Sequence, residues 1–338
     1  MIRAVVGHGG GEAAFLAAAN AQPLPGVELA SAWYALGKGQ PRGANGWHFF
    51  TSGEDEEPFA LALRRGTAWS CGRHDPEELG EFLRWAGVSR LTARLPGMDA
   101  PSFAACPDGF SVAERMLGFV RPYGGTERGS AGKIAGAGNV ARPSAYGPGS
   151  GPAPHGMPDP FPAGYRLVEE TDAGRMAEFL CGQGAFAALD SAADGTQAVA
   201  EQQVRQAAKQ QAQQAVERQA QQAAARLFAQ ELDARAVIGL GYAAFLLGPD
   251  PVPRPSRIAG VMAVSTAPHT KAVCLSALQM RAEMRGQGLG GRMVQTLAAE
   301  AERYARGVCL LCRPERAGFY TRLGFVPEGE YACFVPTR

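Results

Sequence analysis

Between residues 285 and 291 the chain reads Arg-Gly-Gln-Gly-Leu-Gly-Gly, a composition and spacing suited to holding phosphate. Glycine adopts left-handed backbone conformations without a Cβ penalty, so such a turn can aim several successive N–H groups at one anion. Where a helix begins at the turn, the positive end of its dipole adds to the attraction. Arg285 supplies a guanidinium with a fork of donors, and Arg292 follows the last glycine. No Lys-Ser/Thr pair closes the run and no acid follows on a second strand, so it matches neither a P-loop nor a dinucleotide fingerprint.

Other groups capable of chemistry are less organised. Cys309-Leu310-Leu311-Cys312 has the spacing of a redox or zinc pair, yet no second pair or suitable His accompanies it. In a strand, residues three apart point to opposite faces, so both cysteines read as core and no metal site is expected. The seven cysteines are odd in number and mostly lie in apolar, strand-like sequence, as reduced buried thiols do. Gly7-His8-Gly9-Gly10-Gly11 resembles a phosphate loop but lacks its Lys-Ser/Thr ending. All four tryptophans, Trp33, Trp47, Trp69 and Trp85, fall early in the chain. They could line a groove, but scattered single aromatics read more simply as core.

The elements around the glycine turn decide what it can do. Ala272 to Met280 is short, apolar and partly alternating, as a strand should be. Met293, Val294, Leu297 and Ala301 form one helical stripe after the turn. The turn is therefore expected between a strand and the N-terminus of an amphipathic helix. Around it the spacing predicts strands at Tyr165–Val168, Tyr242–Leu247, Ile258–Thr266 and Val308–Cys312, and a helix from Asp172 to about Leu180. A short helix should carry Phe319-Tyr320, followed by a hairpin of Gly324-Phe325-Val326 with Tyr331 to Val335.

At 338 residues the chain suits two domains, and 46% apolar with 19% charged residues is a globular composition. A net charge of +1 gives no electrostatic reason to expect nucleic acid. With no leader-like N-terminal segment and no apolar run near about 18 residues, no membrane partner and a cytoplasmic location are expected. Glycine and proline supply 18 of the 42 residues from Arg121 to Pro162. This linker composition divides the chain into 1–120, 121–162 and 163–338 and leaves the arrangement of the two halves open.

In the first half, Phe59–Leu63 and Ala68–Cys71 read as strands paired about Arg64-Arg65-Gly66-Thr67. Asp75-Pro76-Glu77-Glu78 opens a helix with face Leu79, Phe82, Leu83 and Ala86, ending at Gly87 before a strand near Ser89–Leu95. In the second half, 20 of the 29 residues from Gln202 to Gln230 are Gln or Ala. Residues 196–230 are thus read as a helical insertion merging with Leu227, Phe228, Glu231 and Leu232, either solvated or pairing through its alanine stripe.

With these elements in order, Arg285-x-x-Gly288-x-Gly290 and Phe319-Tyr320-x-x-x-Gly324-Phe325 resemble the two signatures of the GNAT acyltransferases, over about Tyr165 to Arg338. Through Glu77-Glu78-Leu79-Gly80-Glu81-Phe82-Leu83 and Gly87, the first half resembles the leading domain of two-domain bacterial members. It has no equivalent of either signature and is expected to be a degenerate copy. The resemblance implies an α/β (α+β) fold with a mixed, mostly antiparallel sheet flanked by helices. Its implied co-substrate is acetyl-CoA, with phosphates on the N–H groups of Gly286, Gln287, Gly288, Leu289, Gly290 and Gly291 beside Arg285. The pantetheine arm would pair with the strand edge at Leu278, Gln279 and Met280, where the strand splays from its neighbour. A backbone N–H near Leu278 would polarise the thioester carbonyl.

Tyr320 would protonate the departing thiolate; its alternative is a core aromatic packing the last helix. Where the family often has Asn after its fifth strand, Arg313 stands here, which could instead reach a phosphate. The implied activity is acetyl transfer to a primary amine of a small molecule or peptide by direct attack. The alternative is a non-catalytic acyl-CoA-binding sensor or regulatory protein. An ammonium must lose its proton before attack; Glu231, Asp233 and Glu283 are candidate bases, though each reads more simply as a solvated charge. His269 reads as a turn residue. Monomer and homodimer are both left open.

Overall fold

The computed structural model describes residues 1–5, 11–38, 46–52, 58–95, 106–123, 161–170, 173–183, 200–249, 257–304 and 306–337. The first half runs β1 (Arg3–Ala4), α1 (Gly11–Ala21), α2 (Gly26–Ala32), β2 (Trp47–Thr51), β3 (Phe59–Arg64), β4 (Thr67–Gly72), α3 (Pro76–Trp85), β5 (Arg90–Arg94) and β6 (Phe110–Arg121). The second runs β7 (Arg166–Glu170), α4 (Ala173–Gly182), α5 (Ala200–Val237), β8 (Gly241–Leu247), β9 (Ile258–Ser265) and β10 (Ala272–Met280). It ends with α6 (Leu289–Arg303), β11 (Gly307–Cys312), α7 (Ala317–Arg322) and β12 (Val326–Pro336). Of the glycine-rich run near the N-terminus, Gly7 to Gly10 lie outside the described residues, as does the linker from 124 to 160.

Local chemistry explains the elements the sequence foreshadows. Arg65 and Gly66 have positive φ, 44° and 78°, and turn β3 back on β4 as an antiparallel pair. At the start of α3, the Asp75 carboxylate accepts from the Glu78 N–H at 2.9 Å, with Pro76 in the first helical position. Leu79 and Leu83 of this helix are fully buried, and Gly87, at φ 66°, ends its excursion. In α5, Ala225, Ala229 and Leu232 bury against Met176, Ala177 and Leu180 of α4, so the alanine stripe does meet a helix. Trp33 and Trp47 are core and Trp69 stacks on Trp47 at 5.4 Å, but Trp85 is 82% exposed. Among the described residues, no helix is long and apolar enough to cross a membrane.

The twelve strands of the described residues form one sheet, in the order β1-β2-β3-β4-β5-β12-β6-β11-β10-β9-β8-β7. Each half has the same plan: an antiparallel run, then one parallel pair, β4 with β5 and β10 with β11. The halves then exchange their last strands. β12 lies between β5 and β6, and β6 between β12 and β11, all antiparallel. The expected hairpin of Gly324–Val326 with Tyr331–Val335 is therefore corrected to a single strand. Between Pro327 and Gly329 the β12–β6 ladder shifts register, and a bulge there accommodates the missing proline N–H.

The exchange completes both cores. Ala332 and Phe334 of β12 pack with Leu79, Leu83 and Leu91 of the first half. Phe119 of β6, 1% exposed, packs with Leu310, Met293 and Phe325 of the second. Burial pushes the Tyr331 phenol far up, and the Glu328 carboxylate 2.6 Å away adds to this. The same hydroxyl lies 2.9 Å from the carbonyl of Leu24, ahead of α2. Around it, Arg94 and Glu328 pair at 2.7 Å, and Arg235 of α5 reaches Glu28 of α2 at 2.6 Å.

Because Phe119 belongs to the first half by sequence and to the second by packing, Phe119→Ala should cost about 3–5 kcal/mol and loosen both. Tryptophan fluorescence, which reports on the first half, and far-UV circular dichroism should then shift to lower temperature together. Two separated transitions would contradict the joint sheet.

Candidate active site

β10 and β11 start as parallel neighbours, with three pairs from Ala272–Gly307 to Cys274–Cys309. Beyond Cys274 they part. β11 stays paired to β6 through Cys312, whereas Leu275 to Met280 keep β9 alone as a partner. The sheet is thus open along one edge of β10. On one face of the last shared rung, Cys274 and Cys309 pack with Leu24 and Val27 of the first half. The hydrogen bond that the Cys274 thiol donates to Cys309, and then burial, push that thiol up. Cys312 packs in the other core, so the two cysteines of the Cys-Leu-Leu-Cys run do face opposite ways.

Within the open stretch β10 carries a bulge. The register slips between Ser276, opposite Ala263, and Gln279, opposite Val261, so Ala277 and Leu278 together face Met262. Ala277 sits at φ 54°, an uncommon conformation for a residue with a Cβ. The slip reverses the side-chain alternation. Leu275, Leu278 and Met280 all join the cluster under α6, while Ala277 turns to the α4 and α5 side. A bulge leaves backbone groups out of the ladder, here where the thioester-polarising N–H was expected. Gln279 is half-buried, its side-chain amide 3.3 Å from the Met280 carbonyl.

The glycine turn follows within a few residues. Gly286 and Gly288 have φ of 76° and 75°, and no atom lies within 4 Å of where a Cβ would stand on either. Gly288 caps α6, whose first N–H groups, from Leu289 to Gly291, have no partner within the helix. Leu289 is buried and anchors the turn, whereas Gln287 is exposed and donates to the Glu283 carbonyl at 3.0 Å. Arg285 is exposed and folds back, its Nε 3.2 Å from the Met280 carbonyl. A Cβ on Gly290 would stand 3.3 Å from Met280 and one on Gly291 3.4 Å from Leu323. The turn is thereby seated between the end of β10 and α7. It is a cradle of N–H groups with room for an anion.

Tyr320, on α7, is half-buried in the same cluster as Leu278 and Met280. Its ring meets Phe319 at 4.9 Å, Phe325 at 5.9 Å and Phe119 at 6.2 Å. Burial first, and then the Cys312 thiol, push its hydroxyl up to about 12, with Arg316 opposing. Phe119 is a contributor that the sequence did not reveal. It comes from the other half, and its strand was not recognised.

Arg313 is held elsewhere: its Nε pairs with Glu114 of β6 at 2.9 Å, and Glu114 also takes Arg90 at 3.1 Å. Two of the candidate bases are likewise engaged. Glu231 pairs with Arg64 of β3, and Asp233 accepts from the Ala173 N–H at 3.1 Å, capping α4. Glu283 is exposed, next to the turn. His269, at φ 65°, is in a turn as expected. Among the described residues no cluster of His, Cys, Asp or Glu could hold a metal ion.

Residues 252–327 match the family model for the acetyltransferase (GNAT) domain. No curated protein matches the sequence. Similar solved structures include a tandem GNAT protein from the clavulanic acid biosynthesis pathway, without AcCoA. It is 16% identical, with 99% of this chain and 98% of that chain covered, at TM-score 0.49. A GNAT-family acetyltransferase from Colwellia psychrerythraea is 10% identical over 100% of both chains, at TM-score 0.45. A GCN5-related N-acetyltransferase from Kribbella flavida is 15% identical, with 85% of this chain and 89% of that chain covered, at TM-score 0.42.

The seating of Met280 can be checked directly. A Cβ on Gly260 would collide with the Met280 thioether. Gly260→Ala should therefore cost about 1–3 kcal/mol, as overpacking does. Adding Met280→Ala to that variant should recover part of the loss in a urea titration. Simple additivity of the two costs would mean that the side chains do not meet.

Proposed function

We propose that this chain, which carries a GNAT acetyltransferase domain over residues 252–327, transfers the acetyl group of acetyl-CoA to a primary amine of a small molecule or peptide. The observation that carries the reading is the junction of two features at one end of the sheet. The left-handed glycine turn opens α6, and the bulged edge of β10 is free of β11. A phosphate-bearing thioester needs both. The N–H groups from Gly286 to Gly291 would hold its pyrophosphate with Arg285, and the edge from Leu278 to Met280 would pair with its amide-containing arm.

The amine nitrogen attacks the thioester carbonyl carbon directly. The bulge at Leu278 supplies the N–H that stabilises the oxyanion. As the carbon–sulfur bond breaks, the electron pair leaves with sulfur and the Tyr320 hydroxyl donates to it. A phenol pushed up to about 12 keeps its proton throughout the neutral range, so the donor is always loaded. A hydrogen bond to the forming charge lowers the barrier before full transfer. The products are an amide and the free thiol. Glu231 and Asp233 have structural partners, so the ammonium's proton leaves through solvent or the exposed Glu283. That shortage of a base favours the second reading, an acyl-CoA-binding sensor without turnover.

Incubation with acetyl-CoA and a panel of primary amines should release free thiol. Tyr320→Phe should lower kcat by about 10²–10⁴ with little change in the KM for acetyl-CoA. No loss of rate below about pH 11 should trace to Tyr320. Gly288→Glu, whose side chain would leave the turn into open space, should abolish acetyl-CoA binding, once circular dichroism shows it folded, by placing a carboxylate in the cradle. Tight binding without thiol release for any amine would establish the sensor, and retained binding in the glutamate variant would sink the assignment of the turn.

A further inference from the structure

A cavity of about 210 Å³ lies on the α6 side of the sheet, at the end away from the glycine turn. Tyr242 of β8, Val264 of β9, Val273 of β10 and Leu297 of α6 form much of its wall, and Glu300 and Arg306 also line it. Glu300 is eleven residues beyond Leu289, so about 16 Å of helix separates it from the start of α6. The cavity is therefore distinct from the acyl-donor cradle.

Its charges are unusual for so apolar a place. Glu300 is 9% exposed, and no hydrogen bond or ion pair with a described residue holds its carboxylate. Burial pushes this carboxyl up, Arg303 on the same helix opposes that, and Glu169 of β7 adds to it. Arg306 places one guanidinium nitrogen on the Thr266 hydroxyl, which leaves further N–H donors for another acceptor. Burial lowers its pKa, yet an arginine remains charged at neutral pH. No ion pair joins Glu300 to Arg306. The cavity thus holds two opposite charges that do not neutralise each other.

We propose that this cavity binds a small zwitterion whose ammonium and carboxylate are separated by an apolar chain. The ammonium would pair with Glu300, where the carbonyl end of α6 adds negative potential. The carboxylate would take the free donors of Arg306 in charge-assisted hydrogen bonds. The apolar chain would lie between Val264, Val273 and Leu297. A cation alone would leave the guanidinium unanswered, and an anion alone would meet the unpaired carboxylate.

Calorimetry on the full chain with 6-aminohexanoate, hexylamine and hexanoate tests this without acetyl-CoA. 6-Aminohexanoate should bind at least about tenfold more tightly than either singly charged analogue. Glu300→Gln and Arg306→Gln, each checked by circular dichroism, should each weaken it at least about tenfold. Ala301→Met, which fills the cavity from α6, should abolish binding while the protein stays folded. Equal affinity for the three compounds, no binding at all, or undiminished binding in Glu300→Gln would each overturn the proposal. In the second case the cavity is a water-filled packing defect.

Discussion

The antiparallel pair of β6 and β12 is the contact on which the rest of the molecule depends. Each half sends its final strand across, so the sheet has no seam between them and neither core is complete alone. Among the described residues, four buried or half-buried ion pairs join the two halves, Arg64 with Glu231, Arg235 with Glu28, Arg94 with Glu328 and Arg121 with Glu302. Buried pairs are weak sources of net stability, since desolvation offsets most of their attraction, but breaking one partner is costly. Their role here is to penalise any other alignment of the halves. Phe119 shows what this alignment does for the candidate site, because a side chain from the first half packs against Tyr320 in the second.

What could be read from the sequence was what local chemistry fixes. The cap at Asp75, the turn at Arg65-Gly66 and the stripe of Met293, Leu297 and Ala301 each depend on residues within a few positions of one another. The exchange depends on residues over 200 positions apart, as in the pairing of Phe334 with Val112 and Leu91. β6 escaped notice for a physical reason. After the buried Phe110, Ser111 to Ala113 are all exposed and the charged Glu114 and Arg115 follow, so the stretch lacks the apolar alternation of a half-buried strand. A hairpin was expected at Gly324 to Val335 because Pro327 and Gly329 suit a turn and a bulge equally well.

The candidate site divides along the same line. The glycine turn was legible because positive φ at Gly286 and Gly288 is a demand on residue type that the sequence records. The open edge at Leu278 was implied by family resemblance, and no composition signals it; the bulge is made by Ala277, an ordinary alanine in an uncommon conformation. Arg313 and Glu231 pair with Glu114 and Arg64 of the distant half, which no local pattern signals. A charge with a structural partner has the same sequence signature as a free one.

Opening a sheet near its middle carries a penalty, because each lost rung exposes an N–H and a carbonyl that would otherwise pair. Here the opening is confined to one side of β10, since β11 keeps its ladder with β6 through Cys312 while β10 keeps its own with β9. The strand from the first half is what permits this. Without β6, β11 would be a strand with a partner on neither side beyond Cys309, free to close onto β10 and seal the edge. With β6 in place, β11 is satisfied on its far side through Cys312. The first half therefore acts on the candidate site of the second through the geometry of the sheet.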